Sequence, residues 1–171
     1  PMNQVSFNRR VWALALPIMA TNVTVPFLGL VDTAVVGRLP GAEYMGAVAI
    51  GAVIMNVIYS SLNFLRMGTT GLTAQSFGAG DADQMRSWLA RACLLSAVLG
   101  LGLIILQLPI LAVSHWLMGA SAAVWPLTES YFQIRIWGAP AALLNFALLG
   151  WFFGVQNMRA ALITQVFLNG L

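Results

Sequence analysis

From Val11 to Val31 the chain carries no charged side chain, and the run VWALALPIMATNVTVPFLGLV then ends in a carboxylate, Asp32. At about 1.5 Å of rise per helical residue, this run is long enough to cross the roughly 30 Å hydrocarbon core of a bilayer. Counting back from Arg38, the next charge, Asp32 lies about 9 Å along the helix axis, in the outer half of the span. An ionisable group held inside a membrane is unfavourable by about 2.5 to 3.5 kcal/mol, and such groups usually face a bundle interior or a wet cavity. The plainer alternative is an interfacial aspartate that reaches the headgroups. The cost of burying the charge makes Asp32 the first candidate for a functional residue.

The rest of the chain has the same character: 60% of its residues are hydrophobic and 8% charged, against roughly one quarter charged in soluble domains. The sequence is that of an integral membrane protein. Its eight basic residues are all arginine, and a net charge of +3 scattered along the chain offers no patch for nucleic acid. The single cysteine, Cys93, excludes an intrachain disulfide, and the single histidine, His115, excludes the usual His/Cys cluster of a zinc site. The first apolar run is too long for a signal peptide and lacks a small-residue cleavage pattern, so it is read as a retained helix.

Five apolar segments are expected, at about 11–37, 44–66, 88–112, 125–153 and 160–171, the fifth still apolar where the chain stops. The Pro-Gly pair of LPGAE marks the first turn, and the glycine-rich stretch RMGTTGLTAQSFGAGDADQMR is read as a helix end followed by a loop. Arg9, Arg10, Arg66, Arg86, Arg91 and Arg159 fall on one side of this layout and Arg38 on the other. The positive-inside rule then places the N-terminus in the cytoplasm and Asp32 in the outer half of the membrane. The small-residue pairs Ala42/Gly46, Ala47/Gly51 and Gly150/Gly154 are read as plain helix packing.

Thr21 falls within about 20 degrees of Asp32 on a helical wheel, whereas Arg38 points about 120 degrees away and cannot neutralise it from the same helix. Asp32 therefore needs a partner from elsewhere, or a proton. Pro17 and Pro26 each remove a backbone hydrogen bond and favour a bend, static or hinged, beside it. Asn56, Ser60 and Asn63 share one stripe of the second segment, and Tyr131, Gly138 and Asn145 repeat every seven residues on the fourth. These stripes are candidates for the lining of a polar cavity, or for interhelical hydrogen bonds worth about 0.6 kcal/mol each. Arg135 is expected to meet a neighbouring helix or to snorkel outward, because Glu129 lies on a different face. No GxxxxGK[ST] loop, HExxH or GxSxG turn is present, and Ser114 and His115 have no carboxylate in their loop, so the chain is not read as an enzyme.

The strings ALPIMATNVTVPFLGLVDTAVVG (Ala15 to Gly37), RMGTTGLTAQSFGAGD (Arg66 to Asp81) and GVQNMR (Gly154 to Arg159) resemble the MATE family of multidrug and toxin extrusion transporters, especially its DinF-like branch. The resemblance implies an all-α, twelve-helix membrane fold in two lobes, with this chain as most of the N-terminal lobe and a C-terminal lobe as its partner. It implies export of cationic or amphipathic small molecules from the cell, across a bacterial inner membrane, in exchange for protons or sodium ions and with no other cofactor. In relatives an aspartate at the Asp32 position binds the coupling cation, a proline at the Pro17 position lets the first helix bend, and Asn145 corresponds to a polar position joining that site. Asn169 matches the start of an Asn-then-Asp pattern on the fifth helix. Ala160 stands where many relatives carry proline, and Arg38 where histidine is common.

On this reading protonation of Asp32, desolvated among apolar helices, lets the first helix repack near Pro17 and Pro26 and releases substrate outward. The eight Met and eighteen aromatic side chains supply adaptable apolar surface. Two other classes fit the layout. A lipid or lipid-linked sugar flippase of the same superfamily would line its cavity with more basic residues than Arg135. A non-transporting membrane subunit would show no ion-dependent flux.

Overall fold

The computed structural model describes Trp12, Ala34, Gly37, Arg38 and residues 41–170, the side chains of 168–170 excepted. Seven α-helices follow one another: α1 (Ala42–Ser61), α2 (Phe64–Gly78), α3 (Ala82–Ile105), α4 (Gln107–Met118), α5 (Trp125–Arg135), α6 (Ala139–Gly154) and α7 (Met158–Gly170), with a 3₁₀ turn at Ile136–Gly138 between α5 and α6. No strand occurs among the described residues. In lipid every backbone amide must be paired within its own segment, which a run of helices achieves.

Each of the three long spans is interrupted once, and the sequence explains where. Pro109 has no N–H to give Ile105 and its ring crowds that carbonyl, so the span that begins as α3 breaks at Leu106 and resumes as α4. Pro140 stands in the same relation to Ile136, and there the chain tightens into the 3₁₀ turn. Between α1 and α2 no proline is involved. The polar run Ser60-Ser61-Leu62-Asn63 does the work: Ser61 Oγ donates to the Val57 carbonyl at 2.8 Å, and Leu65 and Arg66 donate three residues back, to Leu62 and Asn63, at 3.1 Å.

The expected end of the second segment near residue 66 is corrected by α2, which carries the helix on to Gly78. Gly68 and Gly71 sit in mid-helix, where the bilayer tolerates glycine better than water does. The expected loop shrinks to Ala79-Gly80-Asp81. Gly80 takes φ +71°, Asp81 N–H reaches the Ser76 carbonyl at 3.0 Å and Gly80 N–H the Phe77 carbonyl at 3.1 Å, which closes α2 in a Schellman motif. Asp81 then caps α3, accepting from the Gln84 amide at 2.9 Å. The turn after α6 repeats the device with Gln156 at φ +58° and Asn157 accepting from the Ala160 amide at 3.2 Å. The third segment likewise begins earlier than expected, at Ala82, and its two pieces reach Met118.

The fourth span (α5, the turn and α6) is the axis of the bundle. The second span lies parallel to it: Thr128 Oγ1 approaches the Ala47 carbonyl at 3.4 Å, Tyr131 covers Gly51, and Gly150 and Gly154 lie against Arg66, Thr69 and Thr73. The third lies antiparallel, with Gly100 against Pro140, Ser96 Oγ donating to the Leu143 carbonyl at 3.1 Å, and Trp151 Nε1 donating to the Met85 carbonyl at 3.1 Å. A Cβ on Gly150 would come within 2.6 Å of the Arg66 carbonyl oxygen, and one on Gly154 within 2.6 Å of Thr73 Cβ. The Gly150/Gly154 pair is thus a site of close backbone approach, whereas Gly51 makes room for the Tyr131 ring and Gly46 meets the Val124 side chain. At the α4/α5 end, Phe132, Ile136 and Ala139 are buried with Ile54, Met55 and Leu111. Large apolar side chains such as Ile105, Trp116 and Ile134 stay mostly exposed, as lipid-facing residues do.

Candidate functional site

Asp32, Thr21, Pro17 and Pro26 lie outside the described residues. What the structure places is the set of partners proposed for them. Asn145 sits in the middle of α6, half-buried, and its Oδ1 is shielded from solvent without a hydrogen-bond partner among the described residues. Leaving such an acceptor unmet costs about 1–3 kcal/mol, so the carbonyl is an available ligand for a proton donor or a cation. Asn169 lies near the end of α7, beyond the residues whose side chains are described.

The other candidates are dispersed. Asn56 is exposed on α1, and Asn63 is half-buried at the break between α1 and α2. Tyr131 is half-buried, its ring over Gly51 and its hydroxyl accepting from Arg135 Nη1 at 2.8 Å. Arg135 therefore meets neither a neighbouring helix nor Glu129 among the described residues. Its guanidinium folds back one turn onto Tyr131, 5.6 Å from the ring centre, while Glu129 accepts from Gln133 at 3.1 Å. The groove between α1 and α4 and the two compartments between α2 and α3 are walled by side chains other than Asn56, Asn63, Tyr131 and Asn145.

Two polar groups escaped the sequence reading. Gln165 on α7 has a buried, unpartnered Oε1, on a helix that packs directly against α6 and one turn before Asn169. Its signal was available: a lone amide inside the apolar run ALITQVFL. Thr73 on α2 is fully buried against Gly154, and its hydroxyl is also unpartnered, whereas Thr69, Thr70 and Ser76 donate back to the carbonyls of Leu65, Arg66 and Leu72. No group of three or more His, Cys, Asp or Glu side chains converges among the described residues.

Ala42–Gly78, Ala82–Ile105 and Trp125–Gly154 are long and apolar enough to cross a membrane, and they alternate in direction around the fourth span. These features define a polytopic α-helical membrane protein. Residues 17–171 match the family described as MatE, and the chain belongs to this MATE family of multi-pass membrane transporters. It is 43% identical over 161 residues to DNA damage-inducible protein F of Escherichia coli (strain K12), covering 94% of the chain and 35% of that protein. A probable multidrug resistance protein NorM of Shewanella oneidensis is 30% identical over 149 residues, covering 86% of the chain and 32% of that protein.

Two solved structures share the fold. One is a crystal structure of MATE in complex with MaD3S, with a TM-score of 0.84 and 25% identity over 92% of the chain and 35% of that protein. The other is a MOP superfamily transporter from Pyrococcus furiosus, described as having a binding pocket of reverse polarity that suggests a different function. It has a TM-score of 0.81 and 26% identity over 92% of the chain and 35% of that protein. The chain spans about a third of the length of the curated relatives it matches.

Proposed function

We propose that the chain forms the N-terminal lobe of a secondary active exporter that moves cationic or amphipathic small molecules out of the cell in exchange for protons or sodium ions. Asp32 binds the coupling cation, and Asn145, Asn169 and the newly noted Gln165 offer carbonyl oxygens beside it. Pro17 and Pro26 let the first span bend when the charge on Asp32 is neutralised. The observation that carries this reading is the Asn145 carbonyl, buried and unmatched inside a MATE bundle. An amide in that state lacks the partner that a purely structural hydrogen bond would supply. The multidrug designation of the NorM relative supports the substrate class.

The lobe sits with the α2/α3 and α6/α7 turns, and with them Arg86, Arg91 and Arg159, toward the cytoplasm, while Arg66, twelve residues before the end of α2, lies within the second span. Outward release requires a second lobe that moves against this one, since alternating access rocks one bundle against another. Reconstitution of the full-length protein and Asp32→Asn into vesicles tests the assignment. Wild type is expected to export a cationic dye under an imposed proton or sodium gradient, and the variant to lose at least about tenfold of that rate, equivalent to roughly 1.4 kcal/mol in the coupled step. Undiminished gradient-driven efflux by the variant rules out the role given to Asp32.

A further inference from the structure

A groove runs along the junction of α2 and α3 in two compartments that meet at Leu72 and Trp88. The deeper compartment, about 160 Å³, is floored by Gly68 and walled by apolar side chains that include Phe64 and Leu95. Gly68 has nothing within 4 Å of where a Cβ would stand, so the missing side chain is what leaves the space. The compartment nearer the helix ends, about 220 Å³, is lined by Gln75, Ser76, Asp81 and Gln84. Arg91 lines the apolar compartment and turns toward the boundary, an exposed side chain whose guanidinium lies 4.9 Å from the centre of the ring of Trp88, which both compartments share.

Three features of this groove point to one ligand chemistry. Arg91 is held in place by Trp88 yet has no carboxylate partner: among the described residues the ion pair is Arg86 with Asp83 at 3.8 Å. A guanidinium so held presents its fork to a phosphate. Depth agrees. Arg91 lies nine residues into α3, or about 13 Å, and its side chain leans back toward the helix start to stack on a residue one turn earlier. α3 alone, about 36 Å long, exceeds a hydrocarbon core of roughly 30 Å, so its first turn stands at the headgroups and the Arg91 side chain snorkels back toward them. Finally, the order along the groove is apolar floor, cation, then amides and a carboxylate. Leu94, Val98 and Leu101 expose their apolar surface along α3 beside it.

We infer that this groove binds a single phospholipid carrying an ammonium headgroup: an acyl chain over Gly68, the phosphate on Arg91, and the primary amine toward Gln75, Gln84 and the Asp81 carboxylate. A purely anionic headgroup would meet Asp81 with the wrong charge, and a trimethylated one could not donate hydrogen bonds to it. The inference stands on the α2/α3 groove and is independent of the transport reading.

The test uses the full-length protein, delipidated in detergent, with thermal melting and native mass spectrometry read in parallel. Phosphatidylethanolamine is expected to raise the melting temperature of wild type by about 4 °C and to appear as one retained adduct, with phosphatidylglycerol and phosphatidylcholine giving less than half the shift. Arg91→Gln should lose the adduct and the shift. Gly68→Leu fills the acyl compartment at a position with room for a side chain, folds like wild type, and should lose both as well. Equal stabilisation of wild type and both variants, no stabilisation of wild type, or equal response to all three lipids would each overturn the proposal.

Discussion

Asn145 shows how much a single side chain constrains this lobe. Its carbonyl is shielded from water and has no donor among the described residues, an arrangement that costs about 1–3 kcal/mol if it stays unmet. Replacement by leucine, similar in size, removes that cost. Asn145→Leu is therefore expected to keep or raise the melting temperature of the full-length protein while reducing gradient-driven efflux severalfold, measured by melting in detergent beside vesicle transport. A fall in stability of more than about 1 kcal/mol with efflux retained would assign Asn145 to packing instead. Arg135 is the contrasting residue. Its depth in the fourth segment made it look like an intramembrane puzzle, but a tyrosine four residues earlier on its own helix takes the guanidinium and leaves it exposed.

At the scale of elements, the glycines divide into two kinds that the sequence does not distinguish. Gly150 and Gly154 exist so that α6 can lie against the backbone of α2, whereas Gly71 has nothing within 4 Å of a Cβ. Gly150→Val is accordingly expected to destabilise the lobe by about 1–3 kcal/mol through overpacking against the Arg66 carbonyl, and Gly71→Ala to stabilise it by up to about 1 kcal/mol through helix propensity, both read as denaturation midpoints. Equal and small effects at the two positions would contradict the packing described. The spacing of Gly150 and Gly154 was enough to expect a close contact. What spacing did not reveal was that the stretch from Arg66 to Gly78 is helical, because glycine and threonine are read as breakers by rules built on soluble chains. In lipid the need to pair every amide outweighs those propensities. The proline breaks at Leu106 and Ile136–Gly138 follow from Pro109 and Pro140 and were legible in principle, four residues downstream of each freed carbonyl.

For the whole molecule, membrane class and helical architecture follow from long uncharged runs, and the family follows from strings such as RMGTTGLTAQSFGAGD that hydropathy alone does not reproduce. The parallel pairing of the second and fourth spans did not. It depends on Gly51, Gly150 and Gly154 meeting Tyr131, Arg66 and Thr73, contacts about eighty residues apart that no local pattern encodes. Of the candidate site, Asn145 was identified from its place in a seven-residue stripe and from family resemblance, while Gln165 was passed over because a single amide in an apolar run has no periodicity to mark it. The central proposal is that Asp32 binds the coupling cation and that its neutralisation releases substrate, so that substrate binding in turn displaces the cation. Its most direct test measures proton or sodium release when a cationic dye is added to the purified full-length protein in detergent. The account predicts stoichiometric release from wild type and none from Asp32→Asn; dye binding without ion release from wild type, or the same release from the variant, would contradict it.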